Sequence, residues 1–155
     1  MLSVSRTALV LVLMSVTACA GGVSRPDPMA RKVAKLVNAT TKQNTESAAL
    51  AGLQTLGSDA VPYLVQHLGD LRPLPDPTLE LGNGPGSFEG VAHYGPKVVH
   101  DALSAILNRM TGKFFEDVYS GASDDIRAKD KAEWTAWCVA TYRAHAAICQ
   151  GQGAP

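Results

Sequence analysis

The sequence predicts an all-α fold, a short stack of antiparallel helical hairpins carrying one long irregular insertion loop. Two apolar stripes with helical three-and-four spacing lie between Thr45 and Leu68, on either side of a Gly-Ser-Asp turn. A third and broader apolar stripe follows over 97–111. Between them, residues 70–95 are so rich in proline and glycine that no helix is expected there.

The central hairpin has clear start and stop signals. Asn44 or Thr45 can cap the first helix, and Gly57 can end it in a left-handed conformation. Pro62 fits the first turn of the second helix, which Gly69 ends. Because the connection is short, the two helices are predicted to lie antiparallel and to share their apolar faces.

This hairpin resembles one HEAT-type repeat, in which paired antiparallel helices stack beside neighbouring pairs. The resemblance rests on Ala51, Leu53, Leu56, Gly57, Ala60, Val61, Pro62, Leu64 and Leu68. A second stretch looks like the closing portion of bacterial HEAT-like domains, through Ala102, Leu103, Leu107, Thr111, Gly112, Phe114 or Phe115, Trp134 and Trp137. The alternative is an unrelated helical hairpin. Either way, one hairpin cannot bury its own apolar face, so packed neighbours are required.

The amino terminus has the pattern of a secretory signal. Residues 1–18 carry Arg6, then a short apolar run and small residues. The sequence Val-Thr-Ala-Cys at 16–19 resembles a bacterial lipobox, which implies an acylated Cys19 as the mature terminus. The alternative is cleavage of an ordinary signal peptide after Ala18 or Ala20. The resemblance implies a cell-envelope protein held by lipid and facing the periplasm. Without an aspartate after Cys19, the outer membrane is favoured over the inner.

The rest of the chain is predicted to be one domain. Residues 19–28 read as a flexible tether, 29–149 as the HEAT-like helical domain with a first helix at 29–37, and 150–155 as a frayed tail. The 14 basic residues balance the 14 acidic ones, and no basic cluster appears, so nucleic-acid binding is not expected.

The insertion loop at 70–95 is the predicted partner-binding surface, because long loops in compact domains often carry function. Residues 79–81 could form a short strand pairing around Phe88. The residues expected to contact a protein partner are Leu79, Glu80, Phe88, Glu89, His93 and Tyr94. The alternative is that the loop only covers one end of the stack.

The carboxyl-terminal half predicts two further helices. The first is opened by Pro96 and ended by Gly112, and Phe114 and Phe115 then plug the base of the stack. The last helix is expected to start near Lys131, after a turn over 120–125. Trp134 and Trp137 share one face of it and are expected to close the core, the alternative being a carbohydrate or peptide platform.

Cys138 and Cys149 are a candidate disulfide in an oxidising compartment. An unbroken helix would separate them by about 16 Å, too far for a bond. A bond therefore requires the helix to end near 143–146 and the tail to fold back, and the sequence leaves both states open.

No catalytic or metal-binding spacing stands out. The four histidines are scattered, Ser87 lacks the pattern of a nucleophile elbow, and the Gly-rich run at 82–90 lacks the lysine of a phosphate loop. No cofactor or metal is expected. The favoured function is a non-enzymatic envelope scaffold that binds a protein partner. The alternative is a periplasmic hydrolase or glycan-active enzyme using Glu80, Glu89 or His93 of the loop as acid–base groups.

Overall fold

The computed structural model describes residues 27–82 and 91–152. Its helices are α1 Pro28–Thr40, α2 Glu46–Gln54, α3 Val61–Gln66, α4 Val99–Thr111, α5 Asp124–Thr141 and α6 Ala146–Cys149, with 3-10 turns at Ser58–Ala60 and Arg143–His145. The strands are β1 Leu79–Gly82 and β2 Val91–Tyr94, paired antiparallel. The fold is mostly helical, so the all-α prediction is confirmed in part, but the insertion forms a small two-stranded sheet.

The sheet corrects the prediction of an irregular loop. Strand β1 contains the predicted segment 79–81, but it pairs with Val91–Tyr94 rather than around Phe88, which lies outside the described residues. Leu79 and Leu81 alternate with exposed Glu80, so one face of the strand is buried in the core. This period-two alternation is what a half-buried strand requires, and Pro and Gly on either side confine it to a few residues.

The closest helix pair is α1 against α2, not α2 against α3 as predicted. Gly52 lies in this contact, where a Cβ would be 3.1 Å from the Leu36 side chain and would require that side chain to shift slightly. Asp27 begins α1 by accepting a hydrogen bond from the Met29 backbone, 2.7 Å away. The same carboxylate accepts a bond of 2.7 Å from the hydroxyl of Tyr63, which ties the start of α1 to α3.

Helix α3 is short and buried on all sides, which explains why it does not pair with α2 as predicted. All residues from Val61 to Val65 are buried, and the helix packs against α1, α4, α5 and α6. Gly57, with a φ of 76°, and the following 3-10 turn direct the chain away from α2. As a result α3 is the centre of the body, and Leu53, Leu64 and Leu103 all belong to one buried core.

Helix α4 is buried along most of its length, as its broad apolar stripe predicts. Every residue from Val99 to Leu107 is buried. The carboxylate of Asp101 accepts hydrogen bonds from the backbone of Lys97 and Val98 at 3.0 and 3.3 Å, which defines the start of the helix. Gly112, at a φ of 68°, ends it at the predicted position.

Helix α5 begins at Asp124, earlier than the predicted start near Lys131. The Oγ of Ser123 accepts a hydrogen bond from the Ile126 backbone, and two aspartates follow in the first turn. The segment 120–125 reads as a solvated turn by composition, but Ser-Asp-Asp is also a helix-start signal. Lys131, the predicted start, instead lies inside the helix.

The two tryptophans of α5 have different environments. Trp134 is fully buried and packs edge-on against Phe115 with ring centroids 4.8 Å apart. Trp137 is half-buried between Trp134 and Tyr142. The prediction that the tryptophans close the core therefore holds for Trp134. Its ring is buried and cannot serve as a platform for a carbohydrate or peptide.

Cys138 and Cys149 form a disulfide, with their Cα atoms 5.9 Å apart. The condition for it is met, because α5 ends at Thr141 and the 3-10 turn at 143–145 returns α6 against α5 and α3. Both cysteines are buried. The bond therefore fixes α6 to the core from within.

Replacing both cysteines by alanine is expected to lower the free energy of unfolding by about 2–3 kcal/mol, because a short closed loop no longer restricts the unfolded chain. Denaturant melts of the oxidised wild type and of the Cys138→Ala/Cys149→Ala variant measure the difference. Adding reductant should bring the wild type to the level of the variant and leave the variant unchanged. Rapid alkylation of both thiols in the native wild type would contradict the bond.

The insertion leaves and rejoins the body at adjacent points. Pro73 and Val98 form an isolated antiparallel bridge. The backbone of Leu74 donates to the carbonyl of Lys97 at 3.1 Å, and that of Val99 donates to the carbonyl of Arg72 at 3.0 Å. The two ends of the insertion are therefore hydrogen-bonded side by side where it leaves the helical body. Within the described residues, no helix combines the length and the apolar character needed to cross a bilayer.

Candidate functional site

The hairpin sorts the predicted partner-binding residues onto two faces. Glu80 and His93 are paired across the sheet on the outer face, where Nδ1 of His93 lies 3.5 Å from Oε1 of Glu80 and both side chains are about two-thirds exposed. Leu79 points inward and is buried, away from the outer face that carries Glu80 and His93, which corrects its assignment to the same binding surface. Phe88 and Glu89 lie outside the described residues.

A row of aromatic rings attaches the hairpin to the loop after α4. Tyr94, half-buried in β2, packs edge-on against Tyr119 at a centroid distance of 5.3 Å. Tyr119 packs in the same way against Phe114 at 5.9 Å. At the other end of the hairpin, the guanidinium of Arg109 donates to the carbonyl of Gly82. The sheet is therefore anchored at both ends of its strands.

Phe114 does not plug the base of the stack as predicted, because that role belongs to Phe115 alone. The Phe114 side chain is 60% exposed and Val91 is 52% exposed, the highest values for large apolar residues in the described chain. Val91 lies about 10 Å along β2 from Tyr94. We use the name hairpin face for four exposed side chains of the hairpin and of the loop that anchors it, Glu80, Val91, His93 and Phe114. Glu80, Val91 and His93 share the outer face of the sheet, whereas Phe114 packs on Tyr119, beside Tyr94 of the other face.

A cavity of about 430 Å³ lies between α2 and the segment that leads into β1. Glu46, the first residue of α2, lines it with a side chain that is 3% exposed. Its Oε2 accepts a hydrogen bond of 2.8 Å from the backbone of Asp76. Its Oε1 is buried and has no hydrogen-bond partner within the described residues. Sequence analysis missed Glu46, because a glutamate in a first turn is an ordinary helix-start residue.

Burial raises the pKa of Glu46 from its ordinary value of 4.5, although the Asp76 N–H opposes the change. Since the folded state then binds the proton more tightly, the stability it contributes is complete below pH 4.5 and is lost as the pH rises through the folded pKa. At neutral pH the ionised carboxylate destabilises the fold.

We therefore expect Glu46→Gln to raise the free energy of unfolding at pH 7. The amide oxygen can still accept from Asp76 while no charge is buried. Urea melts at pH 7 and at pH 4 measure the gain, which should shrink towards the lower pH. Glu80→Gln, on an exposed side chain, is the control and should change stability little. A loss of stability for Glu46→Gln at pH 7 would contradict the burial argument.

Ser104, His100 and Asp130 meet between α4 and α5, but they do not form a catalytic triad. Oγ of Ser104 donates to Oδ2 of Asp130 at 2.8 Å, rather than to the histidine. Nδ1 of His100 accepts from the Gly69 backbone at 2.9 Å, and its Nε2 lies 3.2 Å from Oδ2 of Asp130 without hydrogen-bond alignment. All three side chains are fully buried. The serine is therefore neither paired with a base nor open to a substrate.

The same cluster is a structural connection. Nε1 of Trp134 donates to Oγ of Ser104 at 3.1 Å, and the Glu116 backbone donates to Oδ1 of Asp130 at 3.3 Å. The hydroxyl of Tyr119, also buried, has no partner within the described residues, and burial together with the nearby Asp130 raises its pKa. The cluster joins α4, α5 and the loop between them through polar contacts.

Acid–base chemistry by Glu80 and His93 has little structural support. Both side chains are about two-thirds exposed, so neither is held in a water-excluding site where such groups would be tuned, although Glu80 also lines the cavity beside Glu46. Among residues 27–82 and 91–152, no group of three or more histidine, cysteine, aspartate or glutamate side chains is placed to hold a metal ion.

The comparisons with known proteins give no relative from which an activity could be carried over. The chain matches no protein-family model, and neither the curated proteins nor the solved structures give a match.

Proposed function

We propose that this chain is a lipid-anchored protein of the bacterial cell envelope whose helical body presents the hairpin face to a protein partner. The observation that carries the proposal is the exposure of Phe114 and Val91 on a rigidly attached support. Exposed aromatic and aliphatic groups with a charged rim are typical of interface centres. Because the support is already ordered, binding a partner would cost this chain little conformational entropy.

The anchoring half of the proposal rests on the lipobox-like residues 16–19. An acyl group on Cys19 would tether the body at the first described residue, Asp27, by at most about 30 Å of chain. Such a short tether favours a partner that is itself in or near the membrane. We favour the outer membrane and a periplasm-facing body, from the residues after Cys19.

We further infer that the helical body is a small HEAT-like stack. The residues that carried the resemblance lie in α2 and α3, which do not form a close pair. Helices α1 and α2, joined by residues 41–45, supply instead a close pair of the kind that such stacks repeat. Helix α3 packs against α1 and helix α4 against α2, while α5 packs against α3 and α4. In such a stack the helices supply rigidity, and the hairpin supplies the variable binding surface.

The test is retention of a partner by the acylated full chain from solubilised membranes. Phe114→Ser is expected to weaken a specific partner by about 30-fold or more if this ring is a hot spot. Leu71→Ser is the matched control, because Leu71 is another exposed large apolar residue, whose neighbour Arg72 bonds to Asn38 at the end of α1. The same proteins retained by wild type and both variants would overturn the proposal.

Point variants are preferred over deletion of 70–95, because Leu74, Leu79 and Leu81 of that segment are part of the core. The anchor is tested separately by mass spectrometry of the mature terminus. Acyl groups on Cys19 are expected. A terminus without them would overturn the proposed membrane anchor but would not test the role proposed for the hairpin face.

A second candidate function is a glycan-active enzyme using the cavity beside Glu46. It is favoured by two carboxylates in different environments, one buried in Glu46 and one exposed in Glu80, on the same cavity. Incubating the full chain with isolated cell-wall glycan measures product release. Turnover that disappears in both Glu46→Gln and Glu80→Gln would establish it, and no turnover by the wild type would exclude it for this substrate.

A further inference from the structure

The cavity beside α2 is acidic and has no basic residue in its lining. Three carboxylate side chains line it, those of Glu46, Asp76 and Glu80, with the amides of Gln43 and Gln54. Neither lysine, arginine nor histidine contributes to it among the described residues. The negative charge of the cavity is therefore not balanced from within its own walls.

Glu46 is the residue that points to a ligand. A buried carboxylate is normally paired or fully hydrogen-bonded, since an unpaired buried charge is costly. Here one oxygen has the Asp76 backbone as its donor and the other has none within the described residues. The group that would complete the site is a hydrogen-bond donor carrying positive charge.

The walls also define the shape of that group. Leu50, Ala51 and Leu79 supply an apolar surface beside the carboxylates. An alkyl stem lies favourably on such a surface while its charged end meets acidic oxygens, as the side chains of lysine and arginine do. A compact inorganic cation would leave this apolar wall unused.

We propose that this cavity binds an alkylammonium or alkylguanidinium group, whose N–H donates to Oε1 of Glu46 while its methylene stem lies along Leu50 and Leu79. The group can come from a free amine or from a lysine or arginine side chain of another protein, because the chemistry recognised is the same. The site shares Glu80 with the hairpin face but does not include Phe114 or Val91, on which the partner proposal rests.

The experiment is calorimetric titration of the full chain in detergent micelles. Cadaverine probes the free-amine source, and N-acetyl-lysine N-methylamide probes the peptide source. The matched neutral probes are 1,5-pentanediol and N-acetyl-norleucine N-methylamide. Saturable binding of at least one amine is expected, with no saturation by either neutral probe. Which amine binds more tightly identifies the source.

Glu46→Gln is expected to weaken the amine by about tenfold or more, because the charged acceptor is lost. This variant is expected to be at least as stable as the wild type at pH 7, so lost binding would not reflect unfolding. Phe114→Ser should bind the amine like the wild type, because Phe114 does not line the cavity, and this separates amine binding from the role proposed for Phe114.

Three results would overturn the inference. They are no saturable binding of either amine at millimolar concentration, equal binding by wild type and Glu46→Gln, or equal binding of an amine and its neutral counterpart. None of these bears on the Phe114 experiment, so the two proposals can fail independently.

Discussion

Trp134→Ala is expected to lower the free energy of unfolding by about 3–5 kcal/mol, the cost of emptying a large buried site. Trp134 is the largest fully buried side chain described, and it touches Phe115 and Trp137 while donating to Ser104. The alanine variant leaves both a cavity and a serine hydroxyl without its donor. Equilibrium denaturation followed by circular dichroism measures the loss.

Trp137→Ala is the matched control for this prediction. It lies three positions along the same helix and is only half-buried, so its loss should cost clearly less. The cost of Trp134→Phe should lie between the costs of Trp134→Ala and Trp137→Ala, since phenylalanine keeps most of the side-chain volume but loses the indole N–H. Equal costs for Trp134→Ala and Trp137→Ala would contradict the assignment of Trp134 to the core.

Asp101→Ala is expected to cost about 3–5 kcal/mol, because it leaves Nε and Nη2 of the buried Arg127 without their carboxylate. Only the exposed Asp124, 2.9 Å from Nη1, would still pair with the guanidinium. Nε and Nη2 of Arg127 donate to the two oxygens of Asp101 at 2.7 and 3.0 Å. The Arg127 side chain is 9% exposed and that of Asp101 is 0% exposed. Asp101 also caps α4, so the same change frees the backbone donors of Lys97 and Val98.

The double variant Asp101→Leu/Arg127→Met separates the charge from the packing. Removing both charges should cost less than Asp101→Ala alone, since no ion is left unpaired in the core. Asp125→Asn, an exposed acidic residue in the first turn of α5, is the surface control and should change stability by less than about 0.5 kcal/mol. A double variant no more stable than Asp101→Ala would contradict the stranded-charge explanation.

The sequence predicted the helices best where local signals and burial agree. The stripe of α4 and its end at Gly112 follow from spacing and from the conformational freedom of glycine, both of which are local properties. The strand at 79–82 was also visible in the alternation of leucine and glutamate. Its partner at 91–94 was not, since pairing register depends on the path of the whole insertion.

The predictions from the sequence fail where contacts between distant residues determine the structure. A short turn predicts that α2 and α3 pair, but α2 packs closely on α1 instead, with Gly52 in the contact, and α3 is drawn into the core by five consecutive buried residues. The start of α5 was missed because Ser-Asp-Asp also suits an exposed turn. The ion pair between Arg127 and Asp101, which crosses from α5 to α4, is invisible to local spacing.

The candidate sites show the same division. Exposure of Glu80 and His93 followed from the expected surface position of the insertion. Glu46 lies at an ordinary helix start, and only the fold reveals that its carboxylate is buried with one oxygen unsatisfied. Phe114 and Phe115 are adjacent in sequence and identical in type, yet one is exposed and the other packs against Trp134.

The hydrogen-bonded ends of the insertion and the alternating burial along β1 have an evolutionary consequence. Odd-numbered positions of β1 are committed to the interior, whereas even-numbered positions contribute nothing to it. Mutations at the latter can therefore accumulate without a folding penalty, so that specificity could diversify on an unchanged architecture. Lineages that face different targets would be expected to differ more at the even-numbered positions of β1 than at the odd-numbered ones.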